Sequence, residues 1–289
     1  MARSESESGT VMEFLAPGYG YTLEYQARLL DRQTPFQRLE VLQTRLFGNV
    51  LRLDGALQCS ERDEFFYHEP LVHMAAFSHA APRSVLIIGG GDGGAAEEVL
   101  KHPTVEEVVL AEVDGEVIEA ASVHLHSVHR GLLDGADNRL SIEIVDGSAY
   151  LASCGRRFDL LILDLTDPGE ISGSLYSIDF YRQCLQHLTS QGVMTLHVAS
   201  PWAQAGRVRR TFANLAAAGF RAAPYLTSIP MSGGSWVMGL CRPMSADDPP
   251  PYQRQLSGIP LAYYSPAMHN AMLVQPPYLS SLLSNASSD

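Results

Sequence analysis

Residues 84–94 have the sequence S-V-L-I-I-G-G-G-D-G-G, and a helical pattern follows at residues 95–102. The apolar, β-branched run predicts a buried strand, and the glycines predict a tight turn into the helix. Strand, glycine turn and helix together are typical of the first unit of a doubly wound α/β sheet, which binds its ligand at the turn. Gly89, Gly91 and Gly94 also satisfy the G-x-G-x-x-G pattern, which alone is weak evidence for a dinucleotide site.

Asp92 lies inside this turn and changes the interpretation of the glycines. A carboxylate here repels a pyrophosphate at the helix N-terminus, so a nicotinamide-dependent oxidoreductase is disfavoured. The same carboxylate favours a cationic ligand such as a sulfonium or an amine. The alternative interpretation is that Asp92 only caps the following helix.

Composition excludes several classes of partner. The chain of 289 residues has a net charge of −12, which disfavours nucleic acid and anionic membranes as partners. Its four cysteines have no C-x-x-C spacing, and this pattern favours reduced thiols in a cytoplasmic protein. No apolar run is long enough for a membrane span. The polar, acidic residues 1–12 are predicted to be disordered.

The chain ahead of the glycine turn has a different pattern. Alternating apolar residues at about 20–60 predict antiparallel strands, and Asp54-Gly55 is a strong hairpin signal. Ser60 and Asp63 form a capping box that predicts a helix from about Glu61, which Pro70 should end or kink. We therefore expect a small N-terminal β domain with a linking helix at 13–80, and a Rossmann-like catalytic domain at 81–289.

Three later strands end in acidic residues. The runs 108–113, 140–145 and 158–163 are followed or ended by Glu112, Asp146-Gly147, and Asp164 with Asp167. Open α/β sheets bind their ligands at the carboxyl ends of the strands. The sequence therefore predicts an acidic ligand site at that edge of the sheet.

These motifs in combination resemble the spermidine synthases, which are polyamine aminopropyltransferases. The resemblance rests on L-D-G-A-L-Q-C-S-E-R-D-E-F-F-Y-H-E, V-L-I-I-G-G-G-D-G-G, A-E-V-D, D-L-T-D-P and Y-Y-S-P-A-M-H-N-A-M-L-V. It implies a methyltransferase-like Rossmann domain behind a small N-terminal antiparallel β domain, assembled as a homodimer or homotetramer. It also implies transfer of the aminopropyl group of decarboxylated S-adenosylmethionine to an amine, usually putrescine, with release of methylthioadenosine.

The resemblance also implies a role for each matching residue. Asp164 is expected to be the general base. The residues expected to bind the donor are Gln37, Asp92, Glu112, Asp146 and Gly147. Those expected to line the amine site are Tyr67, His68, Asp92, Asp164 and Asp167. The glycine turn consists of Gly89, Gly90, Gly91 and Gly93.

Two segments depart from the family pattern. The segment after D-x-x-D-P reads G-E-I-S, and I-P-M-S replaces the family's I-P-T-Y, with Met231 near the usual tyrosine. They leave open a different acceptor, or a catalytically idle homologue that binds a polyamine or nucleoside. A methyltransferase that uses S-adenosylmethionine itself on the same fold is a further alternative.

Other clusters are given no role in the chemistry. The resemblance implies no metal and no cofactor beyond the co-substrate, and His124, His126 and His129 are interpreted as a solvated helix end. The basic run of Arg207, Arg209 and Arg210 is interpreted as a solvated helix face.

Overall fold

The computed structural model describes residues 8–167, 172–246 and 258–284. The strands of these ranges are β1 Gly9–Ala16, β2 Tyr19–Tyr25, β3 Ala27–Gln33, β4 Arg38–Thr44, β5 Gly48–Leu53, β6 Ala56–Ser60, β7 Ser84–Gly89, β8 Glu107–Glu112, β9 Leu140–Ile144, β10 Phe158–Asp164, β11 Leu188–Ala199, β12 Phe220–Ile229 and β13 Gly234–Pro243. The α-helices are α1 Phe65–Phe77, α2 Gly94–Leu100, α3 Gly115–His124, α4 His126–His129, α5 Gly147–Cys154, α6 Ile178–Gln186, α7 Ala205–Ala218, α8 Pro266–Met272 and α9 Pro277–Ser284.

A seven-stranded sheet forms the centre of the molecule, in the order β12-β13-β11-β10-β7-β8-β9. Strands β7 to β11 run parallel, and β13 pairs antiparallel with both β11 and β12. The strand order reverses between β7 and β10, which creates the crevice in which such sheets bind ligands. The predicted class, a methyltransferase-like Rossmann domain with an N-terminal antiparallel β domain, is confirmed.

The N-terminal part consists of the hairpin β1–β2 and the antiparallel sheet β3-β4-β5-β6. Asp54 and Gly55 have φ values of 48° and 87° and join β5 to β6, so the predicted two-residue hairpin is confirmed. Strand β1 begins at Gly9, so the prediction of disorder is wrong for residues 9–12. Residues 1–7 lie outside the described ranges.

Helix α1 starts later and runs further than the sequence predicts. Ser60 does donate a hydrogen bond to Asp63 (2.6 Å), but residues 61–64 form turns and α1 begins only at Phe65. The helix continues through Pro70 to Phe77. Proline removes the N–H that would bond to the Phe66 carbonyl, and the Thr227 hydroxyl donates to that carbonyl instead (3.0 Å).

Helix α1, which the sequence predicts as the linking helix, packs on the central sheet. The Thr195 hydroxyl on β11 donates to the Leu71 carbonyl (2.7 Å), and the Tyr225 hydroxyl on β12 donates to the Pro70 carbonyl (3.1 Å). The buried Glu69 accepts hydrogen bonds from three consecutive backbone amides, at residues 262–264. The C-terminal segment and the sheet therefore both fix the helix that leads into the crevice. None of the described helices has the length and apolarity needed to cross a membrane.

Candidate active site

A deep cleft lies at the carboxyl ends of β7, β8 and β10, where the strand order reverses. It extends over about 1340 Å³, including its open mouth, and the N-terminal sheet forms its opposite wall. Lys and Arg are absent from its described lining, whereas eight carboxylates line it: Glu13, Asp63, Glu64, Asp92, Glu112, Asp146, Asp164 and Asp167. A cleft with this lining strongly favours a cationic ligand.

The glycine turn leaves room for Asp164. Gly89, Gly90 and Gly93 have φ values of 81°, 71° and 80°, which side chains rarely adopt. A Cβ atom at Gly90 would lie 2.9 Å from Asp164 Oδ2. The Gly90 amide also donates to the Asp164 carbonyl (2.9 Å). The turn therefore lets bare backbone approach the end of β10, and a ligand can reach the Asp164 carboxylate.

Asp164 lies at the end of β10, and its side chain is 7% exposed. Its Oδ1 accepts a hydrogen bond from the Tyr67 hydroxyl (2.7 Å), and its Oδ2 has no hydrogen-bond partner among the described residues. Burial, followed by repulsion from Asp92, raises the pKa of Asp164 to about 6. One oxygen is therefore oriented by Tyr67, and the other is available to accept a proton or an N–H.

His68 on α1 connects Asp164 to Asp92. Its Nδ1 lies 2.8 Å from Glu64 Oε2, and its Nε2 lies 3.5 Å from Asp92 Oδ1 and 3.9 Å from Asp164 Oδ2. Burial opposes a charge on the imidazole, but Asp92, Glu64 and Asp164 together outweigh it and raise the pKa of His68 to about 10. The raised pKa favours an imidazolium that is hydrogen-bonded to Glu64 and lies within 4 Å of Asp92 and Asp164. Asp92 Oδ1 also accepts from the Gly94 amide (2.8 Å), so Asp92 both supports the start of α2 and faces the cleft.

Glu112 at the end of β8 faces the cleft beside Gly91. Its Oε1 accepts from the Asp114 amide (2.9 Å), and burial raises its pKa to about 7. Asp114 Oδ2 accepts in turn from the Thr34 hydroxyl (2.7 Å) and from the side-chain amide Nε2 of Gln37 (3.0 Å). Gln37 therefore lines the cleft while it also binds the N-terminal sheet to the Rossmann domain.

Asp146 and Gly147 lie at the start of α5, across the cleft floor from the glycine turn. Asp146 is exposed, and its Oδ1 caps the helix by accepting from the Ala149 amide (2.9 Å). A Cβ atom at Gly147 would lie 2.2 Å from Ile88 Cγ2, so only glycine allows this close approach to β7. Both residues line the cleft, as the sequence predicts.

Asp167 lines the cleft, but it is already paired. Arg207 Nη1 lies 2.8 Å from Asp167 Oδ1, and the guanidinium lies over the Tyr176 ring at 5.4 Å from its centroid. The side chain of Arg207 is only 11% exposed. The interpretation of Arg207 as part of a solvated helix face is therefore wrong, because the first turn of α7 points this residue at the site. The neighbouring G-E-I-S segment, 169–172, lies outside the described residues except for Ser172.

Aromatic side chains that the sequence did not identify form one wall of the cleft. His197 on β11 stacks on Trp236 of β13 (6.4 Å between centroids, 15°) and meets the Tyr67 ring edge-on at 5.9 Å. Burial, assisted by Arg207, lowers the pKa of His197 to about 4, so this imidazole is neutral. Met231 lines the same end of the cleft, and its amide donates to Asp63 Oδ2 (2.8 Å). No local motif marks His197, whereas Met231 lies in the I-P-M-S segment that the sequence analysis singles out and Trp236 follows it by five residues.

One group among the described residues has the spacing of metal ligands. Ligand atoms of Cys59, His68 and Asp92 lie within 4.8 Å of one another. Burial raises the pKa of the Cys59 thiol well above its usual value, so the thiol is protonated and a poor ligand. The predicted absence of a metal stays a prediction.

The fold and the site together define a Rossmann-type protein with an acidic, partly aromatic cleft that favours a cationic ligand. Residues 64–248 match the family model described as the spermine/spermidine synthase domain, and residues 10–61 match the spermidine synthase tetramerisation domain. The chain belongs to the spermine/spermidine synthase family, and it is a polyamine aminopropyltransferase.

Individual relatives agree with this assignment. The polyamine aminopropyltransferase of Nitrosomonas europaea is 41% identical over 279 residues, which are 94% of this chain and 85% of the relative. That of Moorella thermoacetica is 34% identical over 94% of this chain and 95% of the relative. A crystal structure of spermidine synthase in complex with the transition state analogue AdoDATO superposes with a TM-score of 0.90 at 30% identity, and covers 98% of both chains. The crystal structure of spermidine synthase from Thermotoga maritima superposes with a TM-score of 0.88 at 30% identity, and the match covers 99% of this chain and 98% of that chain.

Proposed function

We propose that the chain transfers the aminopropyl group of decarboxylated S-adenosylmethionine to putrescine, giving spermidine and methylthioadenosine. The observation that supports this most directly is the cleft with eight carboxylates and no Lys or Arg in its described lining. Both substrates are cations, and each ammonium gains charge-assisted hydrogen bonds from carboxylates. An apolar and aromatic wall of Tyr67, His197 and Trp236 suits the methylene chain between the charges of a diamine.

The reaction needs a base and no acid. The amine nitrogen attacks the carbon next to the sulfonium, the C–S bond breaks, and its electron pair leaves on sulfur as a neutral thioether. The attacking amine has an ordinary pKa near 10 and must be deprotonated first. Asp164 is proposed to accept that proton on Oδ2, while Tyr67 fixes Oδ1. Its pKa of about 6 is closer to that of the amine than an exposed aspartate's is.

The roles of the other cleft residues are proposed from their positions in the cleft. Glu112 is proposed to bind the ribose hydroxyls, because its Oε2 lies beside the bare backbone of Gly91. Gln37, Asp146 and Gly147 are proposed to complete the nucleoside site. Asp92 is proposed to bind the ammonium of the aminopropyl group. The amine would lie between Tyr67, His68, Asp164 and Asp167.

Assembly and location remain proposals. We propose a homodimer or homotetramer, which the match of residues 10–61 to a tetramerisation domain supports. Met12 and Phe14 on β1 are 51% and 65% exposed, which suits a contact between copies. The four free cysteines support a cytoplasmic location.

An acceptor panel tests the proposed substrate. Purified protein is supplied with decarboxylated S-adenosylmethionine and, separately, putrescine, cadaverine, agmatine, spermidine or no amine. We expect methylthioadenosine to form fastest, by kcat/KM, with putrescine and at background rate without amine. A higher kcat/KM with another amine would overturn the assignment of putrescine while retaining the reaction class. Nucleoside binding without release for any amine would indicate an idle homologue.

The donor should be strongly selected by its charge. S-adenosylmethionine itself carries a carboxylate that would lie near Asp92, and like charges in a buried site cost several kcal/mol. We expect its kcat/KM to be lower than that of the decarboxylated donor by roughly 100-fold or more. Asp92→Asn should narrow this ratio. Comparable rates with both donors, or methyl transfer to the amine, would favour the methyltransferase alternative.

Activity should rise with pH through the titration of the acidic cluster. Asp164 must be ionised to accept a proton, and its pKa is raised to about 6, so it is inactive as a base below that pH and competent above it. Because Asp92 and His68 interact with Asp164, the inflection in kcat belongs to the cluster. The measurement is a pH–kcat profile at saturating substrates. If the pH–kcat profile of Asp164→Asn shows an inflection at the same pH, that inflection belongs to a group other than Asp164.

A further inference from the structure

Two buried polar atoms face each other in the cleft, and neither has a hydrogen-bond partner among the described residues. They are Nε2 of His68 on α1 and Oδ2 of Asp164 at the end of β10, and they lie 3.9 Å apart. The two side chains are 1% and 7% exposed. Distances between catalytic groups often shorten when substrates bind. The pair is therefore placed for transfer of a proton from the Asp164 carboxyl group to the His68 imidazole.

The ring of His68 is held in one orientation. Its Nδ1 lies 2.8 Å from Glu64 Oε2, and a Cβ atom at Gly94 would lie 2.3 Å from its Cε1, so the ring packs on bare backbone. Because a carboxylate accepts a hydrogen bond and does not donate one, Glu64 keeps a proton on Nδ1. The proton that the imidazole can give up is therefore the one on Nε2, which also lies 3.5 Å from Asp92 Oδ1.

Titratable groups from five elements surround this imidazole. They are Asp63 and Glu64 before α1, Tyr67 on α1, Cys59 on β6, Asp92 in the glycine turn, Glu98 on α2 and Asp164 on β10. Burial opposes a positive charge on His68, but the acids outweigh it and raise the pKa to about 10. Without a ligand, the imidazolium is therefore the cation of this acidic cluster.

The proposed donor brings a second cation to the same carboxylate. Burial is the largest influence on the pKa of His68 and favours the neutral ring, and Asp92 is the strongest of the acids that oppose it. An ammonium that binds Asp92 takes over this carboxylate, so burial then prevails. The neutral ring has a lone pair on Nε2, on the side that faces Asp164.

We propose that His68 is the proton store of the reaction. Its Nε2 proton leaves to solvent when the ammonium of the donor binds Asp92, and Nε2 then accepts, through Asp164, the proton that the acceptor amine loses. The inference rests on the proposed function, because it concerns the same donor and the same base.

The proton balance of the cycle is complete. An N–H bond of the acceptor ammonium breaks as an O–H bond forms on Asp164, and this O–H bond breaks as the Nε2–H bond of His68 forms. The freed amine attacks, and the electron pair of the C–S bond leaves on sulfur. One proton is released to solvent in each turnover, at donor binding and not at the chemical step.

Calorimetry at pH 8, in buffers of different ionisation enthalpy, measures the proton released on binding. At this pH Asp164 and Glu112, with pKa values of about 6 and about 7, are ionised, whereas His68 is protonated. We expect about one proton for each decarboxylated S-adenosylmethionine bound and none for methylthioadenosine, which has the nucleoside but no ammonium. The Kd of the donor should fall about tenfold between pH 8 and 9.

His68→Gln tests whether the proton comes from this residue. Glutamine can still donate to Glu64, but it has no proton to release in this pH range. We expect the variant to bind the donor without proton release and with a Kd that does not depend on pH. His126→Gln, at an exposed position of α4, is the matched control and should behave as the unmodified protein does.

A single turnover tests the second half of the cycle. Protein loaded with the donor at pH 8 is mixed with putrescine in weak buffer that contains a pH indicator. We expect the unmodified protein to form methylthioadenosine without releasing a proton, and His68→Gln to release about one proton for each molecule formed.

The outcomes separate the inference from the proposed function. Donor binding without proton release in the unmodified protein, or equal release in His68→Gln, would overturn the proton store and leave the proposed function standing. A proton released together with methylthioadenosine in the unmodified protein would also overturn it. If methylthioadenosine binds and the donor does not, both proposals fail. The measurements on the unmodified protein decide the question even if His68→Gln does not fold.

Discussion

The Asp164→Asn variant is expected to remain folded and to lose roughly 10²- to 10⁴-fold in kcat. Asparagine has nearly the same shape, and its oxygen still accepts from the Tyr67 hydroxyl. It cannot take the proton of the attacking amine, and it removes a negative charge next to His68. The loss should therefore appear in kcat rather than in donor KM.

Asp179→Asn is the matched control for this variant, because the Asp179 side chain is 90% exposed at the start of α6. The measurement is methylthioadenosine release at saturating substrates, with thermal unfolding to verify the fold. A kcat of Asp164→Asn close to that of the unmodified protein would remove Asp164 from the role of base. Greatly reduced stability of the variant would instead indicate that burial of the charge serves the fold.

Gly94→Ala should destabilise the protein by about 1–3 kcal/mol and reduce activity. A Cβ atom at Gly94 would lie 2.3 Å from His68 Cε1, so the imidazolium must move. His68 would then leave its position between Glu64 and Asp92, and the carboxylates of the cleft would lose their shared cation. We expect both the free energy of unfolding and kcat to fall.

Gly115→Ala is a matched control at the first position of α3. Its Cβ atom would lie 3.5 Å from Ile144, an ordinary contact, so stability and kcat should be unchanged or slightly higher. The free energy of unfolding is measured by urea denaturation. Equal effects of the two substitutions would show that the close packing of Gly94 on His68 has no special importance.

The turns and the acidic strand ends of this molecule could be predicted because they depend on residues that are adjacent in sequence. The Asp54-Gly55 turn needs positive φ at both residues, and the glycine turn needs backbone without side chains, so both could be recognised from the sequence. Asp92, Glu112 and Asp164 could be placed at one edge because parallel strands have their carboxyl ends together. The roles of these residues are implied by the resemblance and stay predictions.

Features that depend on distant residues could not be predicted in this way. Helix α1 passes through Pro70 because Thr227, far away in sequence, satisfies the Phe66 carbonyl. Strand β12 contains Pro224, which argues against a strand on local grounds, yet β12 is an edge strand, where proline is tolerated. Arg207 had the pattern of a surface residue and is buried against Asp167.

Product analysis with putrescine and decarboxylated S-adenosylmethionine tests the central claim most directly. Both products, spermidine and methylthioadenosine, are quantified in the same reaction by mass spectrometry. We predict that they form in equal amounts, and that Asp164→Asn reduces both together. Methylthioadenosine without spermidine, or neither product under conditions in which the protein binds the nucleoside, would contradict the account.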